Sequence, residues 1–115
     1  MMLARQYRLT KNEDFDKVKR EGKPFQSKFF QLLVLNRGDN DQSRFGFVVS
    51  NKISKNATAR NKIKRALREG ARQSLTYLKP GYDCVLLVRN SAERAYTDEM
   101  MKEVMHALEG AGLLK

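Results

Sequence analysis

Tryptophan is absent from this 115-residue sequence, cysteine and histidine occur once each, and proline only twice. The single cysteine, Cys84, has no partner for an intrachain disulfide or a cysteine-based zinc knuckle, so nothing argues for an oxidising compartment and a reducing cytoplasm is expected. The single histidine, His106, has no second imidazole to complete a dyad or a metal site. No run of about 18 apolar residues occurs, and residues 1–15 are too charged to hold the apolar stretch of a signal peptide. Neither secretion by that route nor a membrane partner is therefore expected. Acids are also scarce, with 13 Asp and Glu against 23 Lys and Arg and a formal net charge of +10.

The excess charge is not spread evenly. Residues 44–72 carry nine cations and one acid, while residues 73–115 carry five cations and six acids. A generic solvated surface intersperses the two signs, whereas concentration of one sign is self-repulsive until a polyanion neutralises it. Nucleic acid is the expected partner.

The length suits one domain, residues 1–115. Thr10 to Glu13 has a capping-box pattern, with Thr10 as N-cap, and opens a short helix over 11–21 that Gly22 and Pro24 stop. Residues 28–35 and 44–50 are rich in β-branched and aromatic side chains and flank a turn-like segment, which reads as an antiparallel hairpin. An extra short strand is expected near 23–26. In the second of the two longer strands Phe45, Phe47 and Val49 share the core face, with Arg44, Gly46, Val48 and Ser50 on the other. Both faces of the first are apolar, so the 11–21 helix is expected to cover part of the sheet's second side.

A long helix is predicted over 57–77, capped by Asn56 or Thr58. At about 100° per residue, Ala59, Ile63, Ala66, Leu67, Gly70, Ser74 and Tyr77 form an apolar arc that should face the sheet. Arg60, Asn61, Lys64, Arg65, Arg68 and Arg72 fall on the neighbouring arc. The one acid nearby, Glu69, stands C-terminal to Arg65 in the less favourable orientation for an ion pair, which leaves a cationic stripe. Residues 82–88 read as a buried strand. Thr97 should cap a last helix over 98–110, with Met100, Met101, Val104, Met105 and Leu108 turned to the core. The fold class is thus α+β, a single-domain sandwich in the order αβββαβα.

No catalytic constellation of side chains is present. The carboxylate groups Glu13, Asp14 and Asp16, and Asp98 and Glu99, lie where acids complement the positive end of a helix, so no protein-held metal is expected. No glycine-rich phosphate loop occurs. Single-stranded or irregular RNA suits a cationic stripe beside exposed apolar side chains, with Phe15 the leading candidate for stacking on a base. Duplex DNA is not the expected target, because the basic helix has strands on both sides rather than a preceding short helix and turn.

The stretch from Asn56 to Glu69, with Arg60-Asn61-Lys62-Ile63-Lys64-Arg65 at its centre, closely resembles the RNR segment of the bacterial ribonuclease P protein subunit. In that family R-N-x-x-K-R-x-x-R follows V-S-x-K, here Val49-Ser50-Asn51-Lys52. Residues 9–15 and 45–52 are similar to the same family in the same order, and the likeness spans about residues 5–109. The resemblance implies an α–β sandwich with a mixed central sheet and a left-handed βαβ crossover. It also implies an accessory subunit of an endoribonuclease whose catalytic RNA, with Mg²⁺ bound mainly by RNA and substrate, removes the 5′ leader of precursor tRNA. On this resemblance Arg60, Asn61, Lys64, Arg65 and Arg68 contact the catalytic RNA, with Lys62 and Arg72 on the same helix, and Lys52, Asn56 and Ala57 belong to the loop leading in. Phe15, Leu33 and Val48 would line a cleft for the single-stranded leader. Lys62 stands where the family triplet ends in arginine, and Lys19 where some members carry a second aromatic. Charge alone also allows a different reading, a non-catalytic RNA-binding module such as a ribosomal protein or RNA chaperone.

Overall fold

The computed structural model describes residues 3–115. Its main elements are α1 (Asn12–Glu21), β1 (Lys23–Gln26), β2 (Phe30–Asn36), β3 (Arg44–Val48), α2 (Ala57–Ser74), β4 (Tyr82–Val88) and α3 (Thr97–Gly110), the expected αβββαβα order. Short 3-10 turns precede α1, extend α2 over Leu75–Tyr77 and link β4 to α3.

The strands form one mixed sheet in the order β1-β2-β4-β3. β1 and β2 form an antiparallel hairpin, which confirms the short strand near 23–26. β2 and β3 do not pair: β4 lies between them, antiparallel to β2 and parallel to β3. The expected 28–50 hairpin is therefore corrected. Residues 37–43 are a crossing loop that passes over the start of β4, where Arg37 N–H donates to the Gly81 carbonyl and Gly81 N–H to the Asp41 carbonyl, each at 2.8 Å. Such a loop must span two strand spacings of about 4.8 Å, which a tight turn cannot do. The near-continuous apolar run of β4 suits a strand covered on both faces, and its central residues are buried.

The two faces bury different helices. α2 and α3 pack on each other and on one face, in a core that includes Phe30, Leu32, Phe45, Leu67, Leu86, Met100, Val104 and Leu108. Each such side chain contributes roughly 1.5–3 kcal/mol on leaving water. α1 covers the opposite face through Val18, over Leu33 and Val85, as the apolar second side of β2 suggests. Tyr77 departs from the predicted arc and is largely exposed on the 3-10 turn, where the 3.6-residue period no longer applies.

Two predicted caps move by one residue. Thr10 is not the N-cap of α1; Lys11 is, without a side-chain cap bond. The chain just before it is held extended along the outer edge of β3, with Leu9 N–H donating to the Phe45 carbonyl at 2.8 Å. Thr97 is the first residue of α3 rather than its cap, and Glu99 instead accepts a bond from Tyr96 N–H at 3.3 Å. Asn56 caps α2 as expected, its side-chain oxygen accepting from Thr58 N–H at 2.9 Å.

Candidate nucleic-acid interface

Of the nine cations in residues 44–72, two are engaged with acids. Arg44 donates to Asp83, and Arg72 pairs with Glu69 three residues before it. This corrects the expected stripe at one position. Glu69 reaches forward to Arg72, with Nε at 2.9 Å from Oε2, rather than back to Arg65. An acid N-terminal to its base is the favourable helical arrangement, and the guanidinium holds the Glu69 carboxyl below its ordinary range. The seven remaining cations, Lys52, Lys55, Arg60, Lys62, Lys64, Arg65 and Arg68, make no salt bridge among the described residues.

These seven occupy a loop and the helix that follows it. Arg60 Nη1 donates to the Ser54 carbonyl at 2.7 Å, which folds the loop back against the first turns of α2. With Asn51, Lys52 and Lys55 it borders a hollow of about 450 Å³. Asn56 spends its side-chain oxygen on the cap, and Ala57, an exposed residue, opens the helix at its positive end. Asn61, Lys62 and Arg65 are exposed, while Lys64 and Arg68 are half-buried. Arg68 Nε is enclosed without a hydrogen-bond partner among the described residues.

Beside this ridge lies an open groove of about 500 Å³ along the outer edge of β3. Asn12, Phe15, Asp16 and Lys19 of α1 form one wall and Lys64 of α2 stands on the other, over a floor of Phe47, Val48 and Val49. The α1 residues recur at i, i+3, i+4 and i+7, one helical face. Phe15 is half-buried with its ring directly over Gly46, where even a Cβ would overlap it. Replacing Gly46 with valine is expected to cost about 1–3 kcal/mol by overpacking and to push the ring into the groove, read by urea denaturation together with RNA binding.

The structure brings Phe15 and Val48 together in the groove but not Leu33. Leu33 is buried in the small core beneath α1, because β2 lies two strands in from the β3 edge. Asn12, Asp16, Lys19, Phe47 and Val49 were not among the expected groove residues. The spacing on α1 was a readable signal for the first three. Phe47 and Val49 alternate correctly toward the core, yet they sit at the sheet's open edge and stay half-exposed.

A second cluster anchors the groove from behind. The side chain of Asp83, 4% exposed, accepts from Arg37 at 2.5 Å and from Arg44 at 2.8 and 2.9 Å. Arg44 continues to Asp14 on α1 at 3.6 Å, and Arg37 also holds Asp39, whose carboxyl it keeps below the ordinary range. Arg44 thereby ties β4 and β3 to α1, next to Phe15.

Chemistry by side chains alone has little to work with. Cys84 is fully buried in β4 and burial pushes its thiol up, away from the reactive thiolate. His106 borders a separate hollow with Phe25, Gln26, Glu103, Ala107 and Gly110. Among the described residues no three of His, Cys, Asp and Glu converge as metal ligands, and no helix is long and apolar enough to cross a membrane.

A sequence model described as Ribonuclease P matches residues 3–112. The ribonuclease P protein component of a Cyanothece species is 34% identical, with 98% of each chain covered. That of Oceanobacillus iheyensis is 36% identical over 98% of this chain and 93% of the other. Among solved structures, the RNase P protein of Staphylococcus aureus superposes with a TM-score of 0.86 at 30% identity, covering 95% of this chain and 98% of that one.

Proposed function

The chain belongs to the ribonuclease P protein family, and from that premise we propose that its basic loop and helix hold the catalytic RNA while the adjoining groove holds the single-stranded leader of precursor tRNA. Membership makes it an accessory subunit of the ribonucleoprotein endonuclease that matures tRNA 5′ ends. Lys52, Asn56, Ala57, Arg60, Asn61, Lys62, Lys64, Arg65 and Arg68 form the RNA-facing surface in this reading. Arg72 is left out of that surface because Glu69 neutralises it.

The observation that carries the proposal is the contiguity of seven uncompensated cations with a groove that has an aromatic ring in its wall. Phosphates neutralised along α2 release counterions, and a base entering the groove meets the Phe15 ring. Leader and catalytic RNA then approach one another across a single helix, with Lys64 facing the groove. In this reading Mg²⁺ is held mainly by oxygens of the RNA and the substrate. Its RNA partner is cytoplasmic in this reading, and so is the chain.

Reconstitution tests the proposal. Adding the protein to its catalytic RNA at low Mg²⁺ should sharply raise cleavage of precursor tRNA, and tighten binding of leader-bearing over leaderless substrate. No change in either would oppose it. His106→Ala should leave cleavage unchanged, since the side chain lies at a separate hollow; a tenfold loss in single-turnover rate would show that this side of the molecule participates.

A further inference from the structure

Asp14 is an acid on a helix that walls a groove for a polyanion, and it is held from below. Its carboxylate meets Arg44 Nη1 at 3.6 Å, while the rest of that guanidinium is committed to Asp83, Nε at 2.9 Å from one oxygen and Nη2 at 2.8 Å from the other. Among the described residues this is the one side-chain ion pair or hydrogen bond that joins α1 to the sheet, since the other pair on the helix, Arg20 with Glu21, is internal to it. The helix dipole accounts for an acid in the first turn but not for this pairing: Glu13, in the same turn, is exposed and makes no ion pair among the described residues.

The helix has few other anchors near its start. Its one buried residue is Val18, its N-cap Lys11 makes no side-chain cap bond, and residues 10–12 are exposed. Arg44 and Gly46 are two apart on β3 and point to the same face. Asp14 and Phe15, consecutive on α1, therefore dock on consecutive positions of that face, the carboxylate on Arg44 and the ring on Gly46. The buried Asp83 thus fixes a guanidinium that in turn fixes the helical turn carrying the ring. Only arginine suits the middle place, because its planar fork takes Asp83 along one edge and still presents its second amino group to α1, whereas lysine is a point charge on a flexible stem.

We infer that Arg44 and Asp14 are positioning residues for the single strand: without touching it, they set the height of the Phe15 ring over Gly46 and so the depth of the groove. This rests on the leader occupying the groove, and it reverses the sign that charge alone gives. Removing a carboxylate beside a polyanion should tighten binding by Coulomb attraction; removing this one should weaken it.

The test compares Asp14→Asn, Arg44→Lys and the double variant, each read in two ways. In the protein alone, the Phe15 ring should shift the Gly46 Hα resonances upfield, and both single variants should move them back toward ordinary glycine values. In the reconstituted holoenzyme, the ratio of Kd for leaderless to leader-bearing precursor tRNA should fall about fivefold in each, the upper end for a pair this exposed, because Arg44 is already immobilised on Asp83. Affinity for the catalytic RNA should not change. The two substitutions should not add, since each breaks the same link. A ratio that rises in Asp14→Asn, or that is unchanged in both variants, would overturn the inference, as would full additivity in the double variant or Gly46 resonances that stay in place. Equal Kd for both substrates in the unaltered protein would overturn the leader reading itself, with the Gly46 resonances still deciding whether the ion pair holds the ring.

Discussion

Replacing Asp83 with alanine is expected to lower the melting temperature by about 12 °C, from a loss of about 3 kcal/mol at roughly 4 °C per kcal/mol for a chain of this size. The side chain is 4% exposed and holds two guanidiniums, of which Arg37 is itself only 14% exposed. Taking the acid away leaves that charge buried with Asp39 as its remaining acidic partner, and removes the link from β4 through Arg44 to Asp14. The value sits at the lower end for broken buried pairs because Arg44, 32% exposed, can recruit water. Asp39→Ala is the matched control: it removes an exposed carboxylate from the same arginine and should move the melting temperature little. Thermal denaturation of both decides the matter, and similar shifts in the two would mean that Asp83 has no special role.

The second large effect concerns RNA. Converting Lys62, Lys64, Arg65 and Arg68 together to alanine lowers the net charge from +10 to +6 and favours the helix, so the fold should persist. If all four meet phosphate, the slope of log K against log salt should fall by about 3, and affinity at 0.1 M salt by roughly two to three orders of magnitude. Alanine at Arg89, Arg94, Lys102 and Lys115 makes the same change in net charge outside the basic segment. Binding titrations across a salt series distinguish the two sets. Equal losses would mean that overall charge, not its placement on α2, carries the interaction.

Local features were legible in the sequence and non-local ones were not. Asn56 before a periodic segment identified the start of α2, and the same period separated its buried and cationic arcs, because both follow from 3.6 residues per turn. The pairing of β2 with β4 was hidden. Neighbours in sequence tend to be neighbours in a sheet, and nothing local in residues 37–43 distinguishes a turn from a loop that crosses a strand end. Arg37 makes that crossing possible, yet its partners Tyr82 and Asp83 are more than 40 positions away. In the site, Phe15 and Val48 were readable because each is an apolar side chain on an otherwise polar face. Leu33 looked equivalent, but its exposure depends on where α1 lies across the sheet, which no single strand records. The Arg72 pairing was readable in principle, since Glu69 stands three residues before it.

The strand order also bears on how the molecule is made. β2 and β3 leave the ribosome well before β4, the one strand that joins them. A chain truncated near residue 75 would therefore carry its basic helix while β3 lacked β4, the strand that joins it to β2. The sheet cannot close until β4 is free to pair, so purified chains truncated at increasing lengths should gain protease resistance abruptly once Val88 is included rather than element by element.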